Sequence, residues 1–345
     1  MTSHMRPYAI ICIFISIFFL IACGTKPSTT LESKATSSDS VTTSQDTAGE
    51  APVTLIVGGP SSPPSLPFLH MMEEKVLGDN VTIQFQEWKS IDVLMAMTQD
   101  PNINFIALPL NTALTLYNRG IPLQLMNVNT WSVMALLTTD PTVNTWEDLA
   151  GKTLYVPMQS SPVDYITQTF LKKHGLTPGE DITLIHTQLD ESAQLLMSGK
   201  AQYLVSIQPQ VTALQMKNPS IRSIADYKKE WQSLTGLEND LPNAGMAVKT
   251  AFASQNPEFT AKFHEEYKKA LLWFLDNPAE GAALAQKYLS MDPEVVEKAI
   301  PVMALDFAAA ADVQDVLEIY FKLLFDYSPA SIGGELPDEN FYYTK

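Results

Sequence analysis

Four short segments of the sequence combine small, polar and amide residues directly after apolar runs. Their hydroxyl, amide and backbone groups can donate and accept hydrogen bonds. Asp164 is the only charged residue among them. Because open α/β sheets bind ligands at the carboxyl ends of their strands, these segments are candidates for ligand binding. The candidate ligand-binding residues are Gly58, Gly59, Ser61 and Ser62; Pro109, Asn111 and Thr112; Gln159, Ser160, Ser161 and Asp164; and Gln208 and Gln210.

One of these segments has the features of a helix start. Ser161 is a good N-cap, Pro162 suits the first helical position, and Asp164 places an acid in the first turn. Free backbone N–H groups in such a turn favour a hydrogen-bond acceptor on a ligand. The plain alternative is a helix cap without a ligand contact.

Trp131 precedes a predicted strand and has two interpretations. Its indole ring can stack on a planar ligand, or it can fill the core, as tryptophan more often does. Both interpretations stay open from the sequence, and we include Trp131 among the candidate site residues.

Residues for catalysis or metal binding are scattered rather than clustered. His70, His174, His186 and His264 occur singly and predict structural or surface roles. The segment that begins at His264 lacks the second histidine of a metalloprotease helix, and Gly58–Gly59–Pro60 lacks the spacing of a nucleotide-binding loop. We therefore expect no catalytic residue, no metal site and no cofactor. Met134 and Met158 are candidates for a pocket lining, whereas most methionines are expected in the core.

The first 22 residues are predicted to be a signal peptide. Arg6 precedes an apolar run over residues 8–21, which is too short for an ordinary transmembrane helix. The run ends in Leu20–Ile21–Ala22–Cys23–Gly24, which resembles the lipobox of bacterial lipoproteins. That resemblance implies cleavage before Cys23, lipid attachment to Cys23, and anchoring on the outer face of the cytoplasmic membrane or in the periplasm. The alternatives are an uncleaved anchor or a chance cysteine.

Residues 23–51 are predicted to be a disordered tether, because they are rich in serine, threonine and charge and almost free of apolar residues. Cleavage also removes Cys12, so no disulfide is expected in the mature chain. The formal net charge of −16 becomes −17 on loss of Arg6. This charge argues against nucleic acid as a partner.

Short apolar runs alternate with amphipathic segments beyond the tether, which is typical of α/β architecture. Asn111 and Gly120 are predicted to cap the ends of one helix. A second sheet is predicted from Pro141, and weak periodicity over residues 226–243 predicts the return to the first. Lobe 1 is expected to comprise residues 52–139 and 244–345, and lobe 2 residues 140–243. The chain is expected to cross between the lobes near residues 138–141 and again near residues 239–245.

Three stretches resemble the binding proteins of nitrate, sulfonate, taurine and thiamine-pyrimidine importers. Residues 146–176 read WEDLAGKTLYVPMQSSPVDYITQTFLKKHGL, residues 198–210 read SGKAQYLVSIQPQ, and a third stretch from Phe252 begins FASQNPEFTAKF. The resemblance extends over most of residues 53–345. It implies a type II periplasmic-binding-protein fold, in which each lobe is a mostly parallel sheet flanked by helices and a cleft separates the lobes. It further implies a monomer that delivers a small molecule to the membrane permease of an ABC importer.

The candidate loops depart from what the anion-binding members of that family lead us to expect. None of them carries Lys or Arg. This favours a neutral or cationic heterocycle, such as a pyrimidine or another vitamin precursor, over nitrate or a sulfonate. Two other functions stay open: a ligand-sensing lipoprotein for a signalling partner, and an enzyme of pyrimidine metabolism on the same fold. A related enzymatic branch is expected to need a cysteine cluster for iron, which the mature chain lacks.

Overall fold

Two β-sheets organise the chain. The computed structural model describes residues 53–344, so the predicted signal peptide, Cys23 and the predicted tether lie outside the described residues. The strands of the described part are β1 (Val53–Gly59), β2 (Val81–Glu87), β3 (Ile103–Pro109), β4 (Leu123–Trp131), β5 (Met134–Thr138), β6 (Thr153–Pro157), β7 (Thr183–Thr187), β8 (Tyr203–Ile207), β9 (Arg222–Asp226), β10 (Pro242–Lys249) and β11 (Leu305–Ala309).

Helices flank both sheets. They are α1 (Leu66–Glu73), α2 (Ile91–Gln99), α3 (Leu110–Asn118), α4 (Pro162–Lys173), α5 (Leu189–Met197), α6 (Gln210–Lys217), α7 (Tyr227–Thr235), α8 (Thr250–Gln255), α9 (Pro257–Asp276), α10 (Pro278–Leu289), α11 (Pro293–Ala299) and α12 (Gln314–Tyr327). Within residues 53–344, none of them combines the length and the apolar character needed to cross a bilayer.

Several helix ends follow the sequence signals and two do not. Ser161 stands at the N-cap of α4 as predicted, but its side chain makes no capping hydrogen bond. Proline opens α4, α9, α10 and α11, because its missing N–H would go unpaired in a first turn anyway. Gly120 lies just beyond α3 with φ +83°, as a predicted C′ glycine should. The prediction that Asn111 caps α3 is wrong, because the helix already begins at Leu110. The side-chain amide of Asn111 instead donates a hydrogen bond to the backbone carbonyl of Ser331 at 3.3 Å.

The first sheet has the strand order β11-β4-β10-β3-β1-β2. β1 runs parallel to β2 and β3, whereas β10 runs antiparallel to β3 and β4, and β11 antiparallel to β4. The carboxyl ends of β1 to β4 therefore share one edge of the sheet. We call this sheet and its helices lobe 1.

The second sheet has the order β7-β6-β8-β5-β9. β6 runs parallel to β7 and β8, and β5 runs antiparallel to β8 and β9. This sheet and its helices form lobe 2. Most strands of each sheet run in one direction, as expected: β1 to β4 in the first sheet and β6 to β9 in the second. The exceptions make both sheets mixed. β5 and β10 run the other way because each enters from the opposite lobe, and β11 is also antiparallel.

The chain passes from lobe 1 to lobe 2 between β4 and β5, through Ser132 and Val133. The crossing predicted near residues 138–141 is wrong, since β5 pairs with β8 and β9 and so belongs to lobe 2. The return runs through residues 236–241, close to the predicted place. The amide of Ser132 donates to the carbonyl of Leu241 at 2.9 Å, which ties the two crossings together.

The helix α12 adds a noncovalent link between the lobes. It follows β11 of lobe 1 in the chain, yet it packs against α4 of lobe 2. Tyr320 approaches Trp231 of α7 with ring centroids 6.4 Å apart, and Tyr327 approaches Tyr165 of α4 with centroids 5.0 Å apart. One buried apolar cluster consequently runs through both lobes and α12.

A second apolar cluster covers the other face of the first sheet. Helices α1, α9, α10 and α11 pack there. Phe105 stacks on Phe263 with centroids 3.8 Å apart, and Tyr267 meets Phe68 edge to face at 5.2 Å. This layer holds the first sheet rigid behind the edge at which β1 to β4 end.

Candidate functional site

A cavity of about 250 Å³ lies between the lobes, at the carboxyl ends of strands from both sheets. Ligands in open α/β sheets bind at such strand ends. The residues that line the cavity are Pro60, Ser62, Pro63, Pro64, Trp88, Pro109, Thr130, Val133, Met158, Ser161, Pro162, Val163, Ile207, Gln208, Asn243 and Ala244.

The cavity wall is mostly apolar, uncharged and rich in proline. Five of its sixteen residues are prolines, and no lining residue of the described chain carries a charge. Trp88 directly follows β2, and its indole Nε1 donates to the carbonyl of Ala107 at 3.1 Å. That hydrogen bond fixes the orientation of the ring, so a flat surface is held ready at one side of the cavity.

Four of the candidate site residues line the cavity: Ser62, Pro109, Ser161 and Gln208. The side-chain oxygen of Gln208 accepts hydrogen bonds from the hydroxyl of Thr212 at 2.8 Å and from its amide at 3.3 Å. The Nε2 group of Gln208 is thus the part available as a donor. The buried hydroxyl of Ser161 has no hydrogen-bond partner among the described residues. The Nε2 group of Gln208 suits a ligand that brings a hydrogen-bond acceptor.

Three further candidates support the wall from behind. A side chain at Gly59 would place its Cβ 2.2 Å from the Oγ of Ser65, so β1 can end this close to Ser65 only with glycine. Gly58 precedes Gly59 within β1. The hydroxyl of Ser61 donates to the carboxylate of Glu87 at 2.5 Å. These residues shape the loop but do not line the cavity.

Other candidates lie away from the cavity. Trp131 is only 4% exposed, and its indole donates to the carbonyl of Asp306 at 2.9 Å, which places it in the core. Thr112 lies beside Asn111 on α3, and its hydroxyl donates to the side-chain oxygen of Asn111 at 3.4 Å. Gln210 donates to Asp190 at 3.2 Å and accepts from Ser206 at 2.7 Å, within lobe 2.

The loop before α4 has an unusual backbone. Met158 and Ser160 adopt left-handed conformations, with φ +57° and +62°. Such a conformation costs a non-glycine residue about 1–3 kcal/mol, and it persists when surrounding contacts hold it. Gln159 and Ser160 are exposed, whereas Met158 and Ser161 face the cavity on either side of them.

The carboxylate of Asp164 holds this loop. It is buried, and its Oδ2 accepts the amide N–H of Ser160 at 2.9 Å. Its Oδ1 accepts from the Nε2 of Gln168 at 2.7 Å and from the Nε2 of His186 at 2.9 Å. A hydrogen bond to a charged group contributes about 1.5–3 kcal/mol, which is comparable to the cost of the left-handed Ser160. Asp164 does not line the cavity.

Several lining residues are not among the candidates predicted from the sequence. Trp88 follows a strand, and the strand-end rule that selected Pro109 would also have selected it. Asn243 and Ala244 lie at the start of β10, and only knowledge that β10 begins at the cleft edge would have revealed them. Of the two methionines considered, Met158 lines the cavity and Met134 does not.

His70, His174, His186 and His264 do not line the cavity, and His174 lies between two carboxylates. His174 contacts the carboxylates of Glu147 at 2.6 Å and Glu230 at 3.0 Å. Burial alone would lower the pKa of His174, but these two hydrogen bonds outweigh burial and raise it. The hydrogen bond from His174 lowers the pKa of Glu147 to about 2. In residues 53–344, no group of three or more potential ligands is arranged to hold a metal ion.

Two lobes with a cavity at the strand ends between them define the class of two-lobe solute-binding folds. The model of the family described as "NMT1/THI5 like" matches residues 80–281. The chain belongs to this family, which confirms the resemblance predicted from the sequence. A search among curated proteins finds no sequence match.

Solved structures share the fold. A protein described as an ABC transporter from Parabacteroides distasonis is 21% identical, with 85% of this chain and 99% of that chain covered and a TM-score of 0.70. The periplasmic aliphatic sulphonate binding protein SsuA from Escherichia coli is 13% identical, with 85% and 93% covered and a TM-score of 0.71. The periplasmic nitrate-binding protein NrtA from Synechocystis PCC 6803 is 12% identical, with 76% and 75% covered and a TM-score of 0.55.

Proposed function

We propose that this chain is the solute-binding lipoprotein of an ABC importer, and that it captures a small neutral or cationic heterocycle such as a pyrimidine or another vitamin precursor. The uncharged cavity between the lobes carries this proposal. A binding role without catalysis agrees with the wall, which consists of prolines, apolar side chains, hydroxyls and amides. The relatives of known fold are named for binding or transport.

The cavity wall argues against a small anion as the ligand. Burying an anion is costly unless charged or hydrogen-bonding partners compensate for its lost hydration. None of the lining residues is a lysine or an arginine, and the prolines contribute no backbone N–H. A planar neutral ring instead gains contact with the fixed indole of Trp88, and its ring nitrogens can accept hydrogen bonds from Gln208.

The size of the cavity favours a small molecule. Pockets for drug-sized ligands are about 300–1,000 Å³, and this cavity is slightly below that range at about 250 Å³. A single substituted heteroaromatic ring fits this volume, whereas a peptide or a nucleotide with its phosphates does not.

A panel of solutes tests the ligand class. Cytosine and a methylated aminopyrimidine are compared with nitrate, ethanesulfonate and taurine by thermal denaturation and by titration calorimetry. A ligand at about 100 times its Kd stabilises the protein by about 2.7 kcal/mol. We expect the heterocycles to raise the Tm and the anions to leave it unchanged. Micromolar binding of a sulfonate would refute the proposed ligand class.

Trp88 provides a site-specific check on the same panel. Trp88→Ala removes the stacking surface and should weaken binding of a heterocycle by at least about tenfold, or 1.4 kcal/mol. Trp273→Phe is the matched control, because Trp273 stacks on His70 with centroids 4.0 Å apart and does not line the cavity. Equal affinities for the two variants would contradict the assignment of the cavity as the binding site.

We further propose that lipid on Cys23 anchors the protein outside the cytoplasm, where it meets the membrane permease as a monomer. The lipobox-like residues 20–24 support this proposal. Palmitate labelling in the native host should mark the protein, and Cys23→Ala should abolish the label. A label that survives this substitution would refute the anchor.

A further inference from the structure

We propose that Asp164 is a positioning residue, and that it couples the ligand-contacting loop of residues 158–161 to the C-terminal helix α12. This inference rests on the proposed function, because it concerns the same cavity. It replaces the direct contact between Asp164 and the ligand that the sequence suggested. We call the chain of hydrogen bonds formed by Ser160, Asp164, His186, Gln168 and Tyr327 the Asp164 relay.

The first half of the Asp164 relay fixes the loop. Asp164 is 3% exposed, and its carboxylate accepts three hydrogen bonds, from Ser160, Gln168 and His186. These donors occupy both of its oxygens and lie within lobe 2. The group therefore acts on a ligand through the loop, since Met158 and Ser161 line the cavity and Asp164 does not.

The second half of the Asp164 relay leads out of lobe 2. A carboxylate only accepts hydrogen bonds, so the amide nitrogen of Gln168 must face Asp164 and its amide oxygen must face Tyr327. The hydroxyl of Tyr327 then donates to that oxygen. Tyr327 is the last residue of α12, which belongs to lobe 1 by chain order. A continuous set of oriented hydrogen bonds thus joins the cavity loop to an element of the other lobe.

Packing around Tyr327 holds the far end of the Asp164 relay in place. The ring of Tyr165 lies 5.0 Å from the ring of Tyr327, and the ammonium group of Lys172 lies 4.6 Å from its centroid. Both residues are on α4, as is Gln168. A shift of α12 relative to α4 would disturb this contact and, through Gln168 and Asp164, the amide of Ser160.

Hydrogen exchange of the full chain without ligand tests the inference independently of the ligand class. In Asp164→Asn, a single acceptor oxygen remains for three donors, so peptides that cover residues 157–163 should exchange at least about tenfold faster. Tyr327→Phe removes one hydroxyl on the other lobe and should accelerate the same peptides about two- to fivefold. Peptides that cover residues 58–62 should be unchanged in both variants.

The matched control is Tyr117→Phe. The hydroxyl of Tyr117 donates to Asp338 at 2.6 Å, so this variant also loses one tyrosine hydrogen bond, but outside the Asp164 relay. Equal exchange of the loop in Tyr327→Phe, Tyr117→Phe and the unmodified chain would overturn the coupling to α12. Asp164→Asn is the more disruptive change, and Tyr327→Phe keeps the test decisive if Asp164→Asn does not fold.

Titration with a methylated aminopyrimidine then separates positioning from direct contact. Weaker binding in Asp164→Asn together with faster loop exchange supports positioning. Weaker binding with unchanged loop exchange would overturn it in favour of direct contact. If the unmodified chain does not bind the probe, the ligand class fails, while the exchange result still decides the role of Asp164.

Discussion

At the scale of single residues, the polar groups at the cavity divide into those that line it and those that hold the lining residues in place. Ser161 and Gln208 line the cavity, and the amide nitrogen of Gln208 is available as a donor. Thr212 donates to the side-chain oxygen of Gln208, and Asp164 accepts the amide N–H of Ser160, the neighbour of Ser161. We therefore expect the orientation of a bound ring to depend on buried residues that do not line the cavity.

The cluster around His174 predicts a pH-dependent contribution to stability. The pKa of His174 is raised above 6.5, so its contribution is complete below about pH 6.5 and is lost as pH rises through the raised value. The pKa of Glu147 is lowered from 4.5 to about 2, so its contribution is complete above about pH 4.5 and is lost as pH falls toward 2. His174→Gln should therefore lower the Tm more at pH 5.5 than at pH 8.

His70 is the control for that measurement. Burial lowers the pKa of His70, so the folded state disfavours its protonation and stability falls as pH decreases. His70→Gln should consequently be less harmful at pH 5.5 than at pH 8, the opposite trend. The same pH trend in both variants would show that the contacts of His174 with Glu147 and Glu230 do not determine its pKa.

At the scale of elements, β10 occupies the centre of the first sheet because of one glycine. A Cβ at Gly245 would lie 1.9 Å from the backbone carbonyl oxygen of Asn127 in β4. Backbone cannot rotate away as a side chain can, so Gly245→Ala must displace β10 from β4. We expect a loss of more than about 2 kcal/mol of folding free energy, measured by urea denaturation.

Gly58→Ala is the matched change in a neighbouring strand. A Cβ there would meet the Sδ of Met97 at 3.1 Å, and a methionine side chain can move. This variant should therefore lose clearly less stability than Gly245→Ala. Equal losses would mean that the close approach of β10 and β4 is not the cause.

Most elements could be predicted from local patterns, and the misses have a common cause. The sequence predicts a weakly periodic crossover where α7 lies, because only Tyr227 and Trp231 of this helix are buried in the core. The expected division places residues 134–138 in lobe 1, but β5 belongs to lobe 2, because its partners β8 and β9 follow much later in the chain. Periodicity identifies an element, whereas pairing between distant segments decides its lobe.

The candidate site could be predicted to the level of loops rather than side chains. Strand ends and a helix start located the loops that hold Ser62, Pro109, Ser161 and Gln208. Whether a side chain points into the cavity depends on packing that no local pattern encodes. Asp164 turns inward to the loop amide of Ser160, and Trp131 turns to the carbonyl of Asp306.

At the scale of the whole molecule, the lobes are joined by two chain crossings and by the packing of α12 on α4 and α7. The crossings alone would make a soft hinge. The contacts of Tyr320 with Trp231 and of Tyr327 with Tyr165 restrict the directions in which lobe 2 can move. Closure is expected to proceed as a rotation that preserves these ring contacts.

Closure of the two lobes around a ligand should change the shape of the molecule measurably. A ligand that contacts both lobes binds the closed state better and shifts the population toward it. The radius of gyration from small-angle scattering should fall when a saturating heterocycle is added, and it should stay constant with nitrate. Trp88→Ala should need more ligand for the same change. A tightly bound heterocycle that leaves the radius unchanged would contradict closure.

The proline-rich wall has a consequence for the heat of binding. Five pyrrolidine rings around the cavity have little freedom to lose, so association orders few side chains. Water beside such a surface finds few hydrogen-bond partners, and its release to bulk solvent is enthalpically favourable. Binding of a flat solute should therefore be exothermic at room temperature, as is usual for a preformed and poorly hydrated apolar site. The binding enthalpy should become more negative on warming, because burial of apolar surface gives a negative heat-capacity change.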